Sequence, residues 1–285
     1  LYIINLRSNF MLKLETLNNK INLKQIMNLG KILRISRILD ENGKTVIVPI
    51  DHGIEGYYPE LERPEQLINE FIDGGANAVL LRRGMLEKVA LKIAGKLGVV
   101  YRITGATGSS PDVNDQRVIA STYEALYRGA DAVVFTIIAG HPKENDMFTM
   151  FGEVSDIAYS LGLPLIGEVD AVPSPKADRG ELLRQGTRYL SEEGADLIKT
   201  YFPEDESFYK SIIKYSLVPV IAAGGPKMDN PKKVLEFAQK VMEAGAVGVC
   251  FGRNVWQYER PSAILKALSL IVKKGKTAEE ASKLL

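Results

Sequence analysis

Cysteine is nearly absent from this chain: 285 residues contain one, Cys250. A lone thiol excludes any disulfide within the chain, so the fold must rest on packing, and it fits a reducing, cytoplasmic setting. Cys250 lies in an apolar run and reads as a buried, inert thiol. An excess of charge is missing too. There are 36 Lys and Arg against 35 Asp and Glu, a formal net charge of +1. That balance argues against a nucleic-acid groove and against a membrane-binding face. No run approaches the roughly 20 apolar residues of a membrane span. Histidine is limited to His52 and His141, well apart in the chain, which is thin material for a metal centre. We therefore expect no metal and no cofactor.

What the chain does have is alternation. Eight apolar, strand-like runs (45–50, 78–81, 99–103, 132–138, 165–170, 197–201, 218–223 and 247–251) are separated by amphipathic segments long enough for crossover helices. The runs are nearly continuous in apolar residues, as expected when both faces of a parallel sheet are covered. A short echo precedes every second run: Gly75-Ala76, Gly129-Ala130, Gly194-Ala195 and Gly245-Ala246. Glycine just past a helix suits a left-handed C-terminal cap, and repetition suits a barrel of repeated units. The pattern predicts a single-domain (β/α)₈ TIM barrel over residues 29–285, with an open doubly wound sheet as the alternative. Residues 1–28 read as an arm outside the barrel or as a misplaced start, and not as a signal peptide.

In such barrels chemistry sits at the C-terminal ends of the strands. Here those ends carry Asp51 and His52, Arg82 and Arg83, Arg102, His141, Glu168 and Asp170, Lys199 and Tyr201, and Arg253. Lys199 stands out. A lysine ending a buried strand has its charged form disfavoured by desolvation, so a lowered pKa and a nucleophilic amine are expected. The competing reading is an ion-paired structural lysine. His141, before Pro142, reads equally as a helix-entry cap or a catalytic group. The seventh and eighth runs end in Gly224-Gly225 and Gly252-Arg253, which suit a phosphate site: glycine lets backbone N–H groups approach an anion, and arginine adds a bidentate contact. A lysine nucleophile, a phosphate pocket and an acid–base group at Asp51, with His52 behind it, suggest iminium chemistry on a ketone. Asp51, His52, His141, Glu168 and Asp170 would alternatively supply ligands for a metal-dependent aldolase or isomerase.

Four segments in order resemble the archaeal-type class I aldolase superfamily: Ile47-Val48-Pro49-Ile50-Asp51-His52-Gly53, Asp196-Leu197-Ile198-Lys199-Thr200, Ala222-Ala223-Gly224-Gly225-Pro226-Lys227 and Gly252-Arg253-Asn254-Val255-Trp256-Gln257. That superfamily includes archaeal fructose-bisphosphate aldolase, 2-amino-3,7-dideoxy-D-threo-hept-6-ulosonate synthase and the thiolase that breaks down phosphorylated autoinducer-2. The resemblance implies a Schiff-base aldolase acting on a phosphorylated ketose, with Lys199 as nucleophile, Asp51 as the first-strand acid–base group, and Gly224, Gly225, Gly252 and Arg253 holding phosphate. It also implies a homo-oligomer, pentameric or decameric. One departure matters. The family's proton-donating tyrosine after the fifth strand is missing: an ungapped match puts Asp170 in its place, and a match on the proline puts Val172 there. Asp170 or Glu168 is expected to take the acid role. The thiolase branch and a non-catalytic sugar-phosphate-binding barrel are the alternatives.

Overall fold

The computed structural model describes residues 28–172, 174–175 and 177–285; the expected arm, up to residue 27, lies outside them. Eight parallel strands close into a barrel: β1 (Thr45–Pro49), β2 (Ala78–Leu81), β3 (Gly98–Arg102), β6 (Ala132–Ala139), β7 (Leu165–Ala171), β8 (Leu197–Thr200), β9 (Val220–Ala223) and β10 (Gly248–Cys250). The missing numbers belong to a small antiparallel hairpin, β4 (Thr104–Gly105) and β5 (Arg117–Val118), inserted after β3. Round the barrel the order is β1, β10, β9, β8, β7, β6, β3, β2, each strand beside its neighbours in sequence once the hairpin is set aside. The (β/α)₈ barrel expected from the alternation is what forms, and the open sheet is excluded by closure between β1 and β10. Among the described residues no helix is long and apolar enough to cross a membrane.

The echo glycines do what the cap reading required. Gly75, Gly129, Gly194 and Gly245 have φ of 79°, 79°, 99° and 111°, a region that penalises a Cβ. Each turns a helix end straight into the next strand.

Period-two alternation sorts the strand residues into two sets. Outward side chains such as Val46, Val133 and Ile198 pack under the helices. Inward side chains at the lower ends of the strands, among them Ile47, Val100, Val134, Ile166, Leu197 and Ile221, form a separate apolar plug with Cys250. The helix Leu29–Ile35 and the turn after it close that end, with Ile38 entering the plug and buried Lys31 pairing with Asp196 at 2.8 Å. Burying Ile38 is worth about 2 kcal/mol. Cys250 is buried as expected, and burial pushes its thiol up to about 12.

Candidate active site

One step above the apolar plug the inward positions change character. On β3, β6, β7 and β8 they are Arg102, Thr136, Glu168 and Lys199, all buried. The register pairs Glu168 with Lys199 on adjacent strands. Lys199 Nζ donates to Glu168 Oε1, and Arg102 Nη1 donates to Glu168 Oε2 and to Thr136 Oγ1. Arg102 also reaches across the mouth, where its Nε donates to Asp51 Oδ2 at 2.8 Å. Two cations and two carboxylates thus alternate in a chain, Lys199–Glu168–Arg102–Asp51.

That chain overturns one expectation. Burial does pull the Lys199 pKa down, but the Glu168 carboxylate outweighs it and holds the ammonium above the usual lysine range. Lys199 rests as a cation, not as a free amine. The sequence shows the apolar run around Lys199 and not the carboxylate that the register sets beside it. For the carboxylates burial acts upward and the cations win. Arg102 and Lys199 hold Glu168 down at about 2, while Arg102 first, with Lys199 and Arg82 behind it, holds Asp51 below the ordinary carboxylate range. Arg102 is raised in turn, since Glu168 and Asp51 overcome its burial.

Above this layer opens a cavity of about 430 Å³. Asp51, Glu55, Glu168, Asp170, Tyr201, Arg82, Arg102 and Arg253 give it polar walls, with Ile54, Tyr58, Val113 and Ile138 among the apolar lining. Arg82 is fixed by backbone, its Nε to Asp51 O at 3.1 Å and its Nη1 to Thr104 O at 2.8 Å. The loop joining β4 and β5 brings Asn114 and Gln116 to the mouth. It is moored from outside by Asp112 to His141 Nε2 at 2.9 Å and by Asp115 to Lys143 at 2.5 Å. His141 Nδ1 also accepts from the Lys143 amide at 3.1 Å, so this histidine anchors the turn ahead of the helix Glu144–Leu161.

His52 is not brought into the cavity. It is buried, with its ring edge-on to Trp256 and Tyr58 at centroid distances of 5.4 and 6.1 Å. Its Nδ1 lies 3.5 Å from Asp51 Oδ1 and has no hydrogen-bond partner. Burial pushes the imidazole down to about 4 despite the Asp51 charge, so it is neutral. The unfolded chain therefore takes a proton here that the native state refuses, and the stability at stake is complete above pH 6.5 and lost as pH falls from there toward 4. Urea midpoints should drop through that interval, by on the order of 3 kcal/mol in unfolding free energy. The drop should shrink in His52→Gln; an unchanged slope in that variant would refute the assignment.

Asp170, expected as a proton donor, lines the cavity, but its Oδ1 accepts from Arg179 at 2.6 Å and from the Ala171 amide at 2.7 Å. Burial raises its carboxyl while Arg179 works against that. Of the expected phosphate residues, Arg253 lines the cavity, with its Nε buried and unpartnered. Gly224, Gly225 and Gly252 stand beside it rather than in the lining. Gly225 has φ of 66°, and a Cβ on Gly252 would lie 2.7 Å from His52 Cε1. A Cβ on Gly224 would meet Phe251 at 2.8 Å.

Two contributors were missed from the sequence. Buried Asn254 ties the last two loops together, donating to Gly224 O at 2.7 Å and Pro226 O at 2.9 Å while accepting from the Met228 amide at 2.8 Å. Arg102, read as no more than one of several strand-end arginines, is the hub of the charge chain. Neither carries a local signal, because both roles depend on residues far off in the chain. Trp256 and Tyr258 bond within the chain: Trp256 Nε1 donates to Pro49 O at 2.9 Å, and Tyr258 Oη to Met228 O at 2.6 Å.

A family model for DeoC/LacD aldolases matches residues 45–258. The chain is 32% identical over 258 residues to 2-amino-3,7-dideoxy-D-threo-hept-6-ulosonate synthase 1 of Archaeoglobus fulgidus, a match covering 88% of this chain and 94% of that protein. It is 32% identical over 246 residues to the synthase of Halobacterium salinarum, covering 85% and 91%. Among solved structures, an archaeal fructose-1,6-bisphosphate aldolase with its catalytic lysine covalently bound to the carbinolamine intermediate matches with a TM-score of 0.78 at 29% identity, over 85% of this chain and 99% of that one. The chain belongs to the DeoC/LacD aldolase family and is a class I, Schiff-base carbon–carbon lyase.

Proposed function

We propose that Lys199 is the Schiff-base nucleophile, and that the substrate is a phosphorylated ketose of the fructose-bisphosphate kind, cleaved between the carbons once and twice removed from the captured carbonyl. The observation that carries this reading is the position of Lys199. It is an inward lysine in the buried layer beneath the cavity, hydrogen-bonded to Glu168, which lines that cavity.

The resting cation suits this chemistry. As the ketone arrives, the ammonium passes a proton to Glu168 and the amine attacks the carbonyl carbon. The alkoxide takes that proton back, a second proton moves from nitrogen to the hydroxyl, and water leaves. An iminium then stands where the ammonium stood, with the same carboxylate beside it. A pocket that already stabilises positive charge at this nitrogen needs little reorganisation to stabilise the iminium. Asp51, ionised and hydrogen-bonded to Arg102, serves as the base for the substrate hydroxyl. Arg253, beside the two glycine turns, takes the phosphate, whose binding orients the carbonyl. Asn114 and Gln116 meet the part of the substrate that departs.

Borohydride reduction in the presence of dihydroxyacetone phosphate, fructose 1,6-bisphosphate and related phosphorylated ketones tests this. Mass spectrometry should place a reduced adduct on Lys199. No adduct with any member of the panel, or an adduct on another lysine, would end the proposal. Among the described residues no three His, Cys, Asp or Glu side chains form a group able to hold a metal ion.

A further inference from the structure

Schiff-base cleavage leaves an enamine, and the enamine carbon must receive a proton before the product ketone can leave. An acid that is still protonated at neutral pH must therefore stand beside that carbon. The groups around the cavity leave few choices. Asp51 and Glu168 are ionised and tied to Arg102. Asp170 is held by Arg179 at 2.6 Å. His52 is neutral and turned out of the cavity, against Trp256. Arg82, Arg102 and Arg253 do not give up protons in a protein. Glu55 and two phenols, Tyr58 and Tyr201, remain in the lining. Glu55 and Tyr58 both follow β1, and the Tyr58 ring packs edge-on to Trp256 at 5.5 Å. β1 is separated from β8 by two strands in one direction round the barrel.

Tyr201 is placed otherwise. Leu197 and Lys199 alternate on the inward face of β8, and Tyr201, the residue just past its end, keeps that spacing and lines the cavity. Leu197 lies in the apolar plug, Lys199 in the charged layer and Tyr201 in the cavity wall. A carbonyl captured on Lys199 would extend into the cavity that Tyr201 lines. The ring is steadied by the Arg179 guanidinium, 5.9 Å from its centroid.

We propose that Tyr201 is a catalytic acid–base residue of this site, its phenol delivering the proton to the enamine carbon. The proposal rests on Lys199 being the nucleophile. Asp51 removes the substrate hydroxyl proton, the carbon–carbon bond pair moves to the iminium, and an aldehyde departs from the neutral enamine. The enamine carbon then takes the Tyr201 proton, which regenerates the iminium. The phenolate recovers a proton from solvent, Asp51 releases one, and water hydrolyses the iminium, so protons balance over the cycle. The phenol is well supplied for this, because burial, with Glu168 and Asp170 adding to it against Lys199, pushes Tyr201 up to about 12.

The test uses the full chain with dihydroxyacetone phosphate in D₂O. Proton NMR follows exchange of the carbon-bound proton next to the carbonyl, and borohydride with mass spectrometry follows the adduct. Tyr201→Phe should still form the Lys199 adduct, which also reports an intact site, while exchange falls roughly 100-fold or more. An adduct with exchange within threefold of wild type overturns the Tyr201 assignment and leaves the Lys199 reading standing. Loss of exchange in Asp170→Asn, with exchange retained in Tyr201→Phe, moves the role to Asp170 and also overturns it. No adduct in the wild type sinks the Lys199 reading, and this proposal with it.

Discussion

Lys199→Met is expected to lower turnover by roughly 10⁴-fold or more while leaving the protein folded. The methionine keeps the length and apolar stem of lysine and removes the nitrogen. Glu168 keeps Arg102 and Thr136 as partners, so the lost ammonium does not strand a buried carboxylate. Cleavage of a phosphorylated ketose, the thermal midpoint and the borohydride adduct should be measured together. Turnover within tenfold of wild type would refute the nucleophile assignment; a collapsed midpoint would mean that Lys199 is chiefly structural. The wild-type ion pair also has a pH signature. The Lys199 pKa is raised on folding, so its stabilisation is complete below the ordinary lysine value of 10.5 and is lost as pH rises through the higher folded value. Lys199→Met should lack that alkaline loss.

Arg102→Met should be the most damaging single change to stability, costing about 3–5 kcal/mol. Arg102 donates to both Asp51 and Glu168 from the same buried guanidinium. Its removal leaves two buried carboxylates with too few cations, and breaking a buried pair from one side exposes the desolvation cost of the other. The pH dependence separates this from simple loss of packing. In the wild type the two carboxylates are depressed, so their contribution is present at neutral pH and lost as pH falls below their ordinary values, 4.5 for Glu168 and 3.8 for Asp51. Without Arg102 burial dominates and both should titrate higher. The deficit relative to wild type should therefore narrow between pH 6 and 4 in urea unfolding. A deficit constant across that range would show that Arg102 contributes volume rather than charge. Arg102→Lys should rescue little, since a point charge does not serve two carboxylates as a planar fork does.

Much of the barrel was legible because its causes are local or periodic. The apolar runs fall on the eight barrel strands, and the four echo glycines take the left-handed conformation that their position after a helix demanded. The boundaries differ by a residue or two. The run from 218 begins as a strand only at Val220, after Pro219, which has no N–H to give to a ladder. The β4–β5 hairpin was not foreseen, because two-residue strands flanking a polar loop carry no periodic signal.

The site was legible in its membership and not in its charges. Lys199, Asp51, Glu168 and Arg253 were singled out because strand ends are where a barrel places chemistry, and they converge on one cavity. His52 stands next to Asp51 in the sequence as the second acid–base candidate. A short helical turn at His52–Ile54 sends its ring away from the cavity and toward Trp256, a contact spanning some 200 positions.

The amino-acid order by itself determined that this chain closes a parallel barrel and which residues stand at its working end, since both follow from alternation along the strand. Protonation is a different kind of property. It depends on which charge lies within a few ångströms through low dielectric, and only the register of β7 against β8 and the reach of Arg102 across the mouth set those neighbours. For that reason Lys199 could be found from the sequence, while its resting charge, and the phenol standing one step above it, were decided by the tertiary structure.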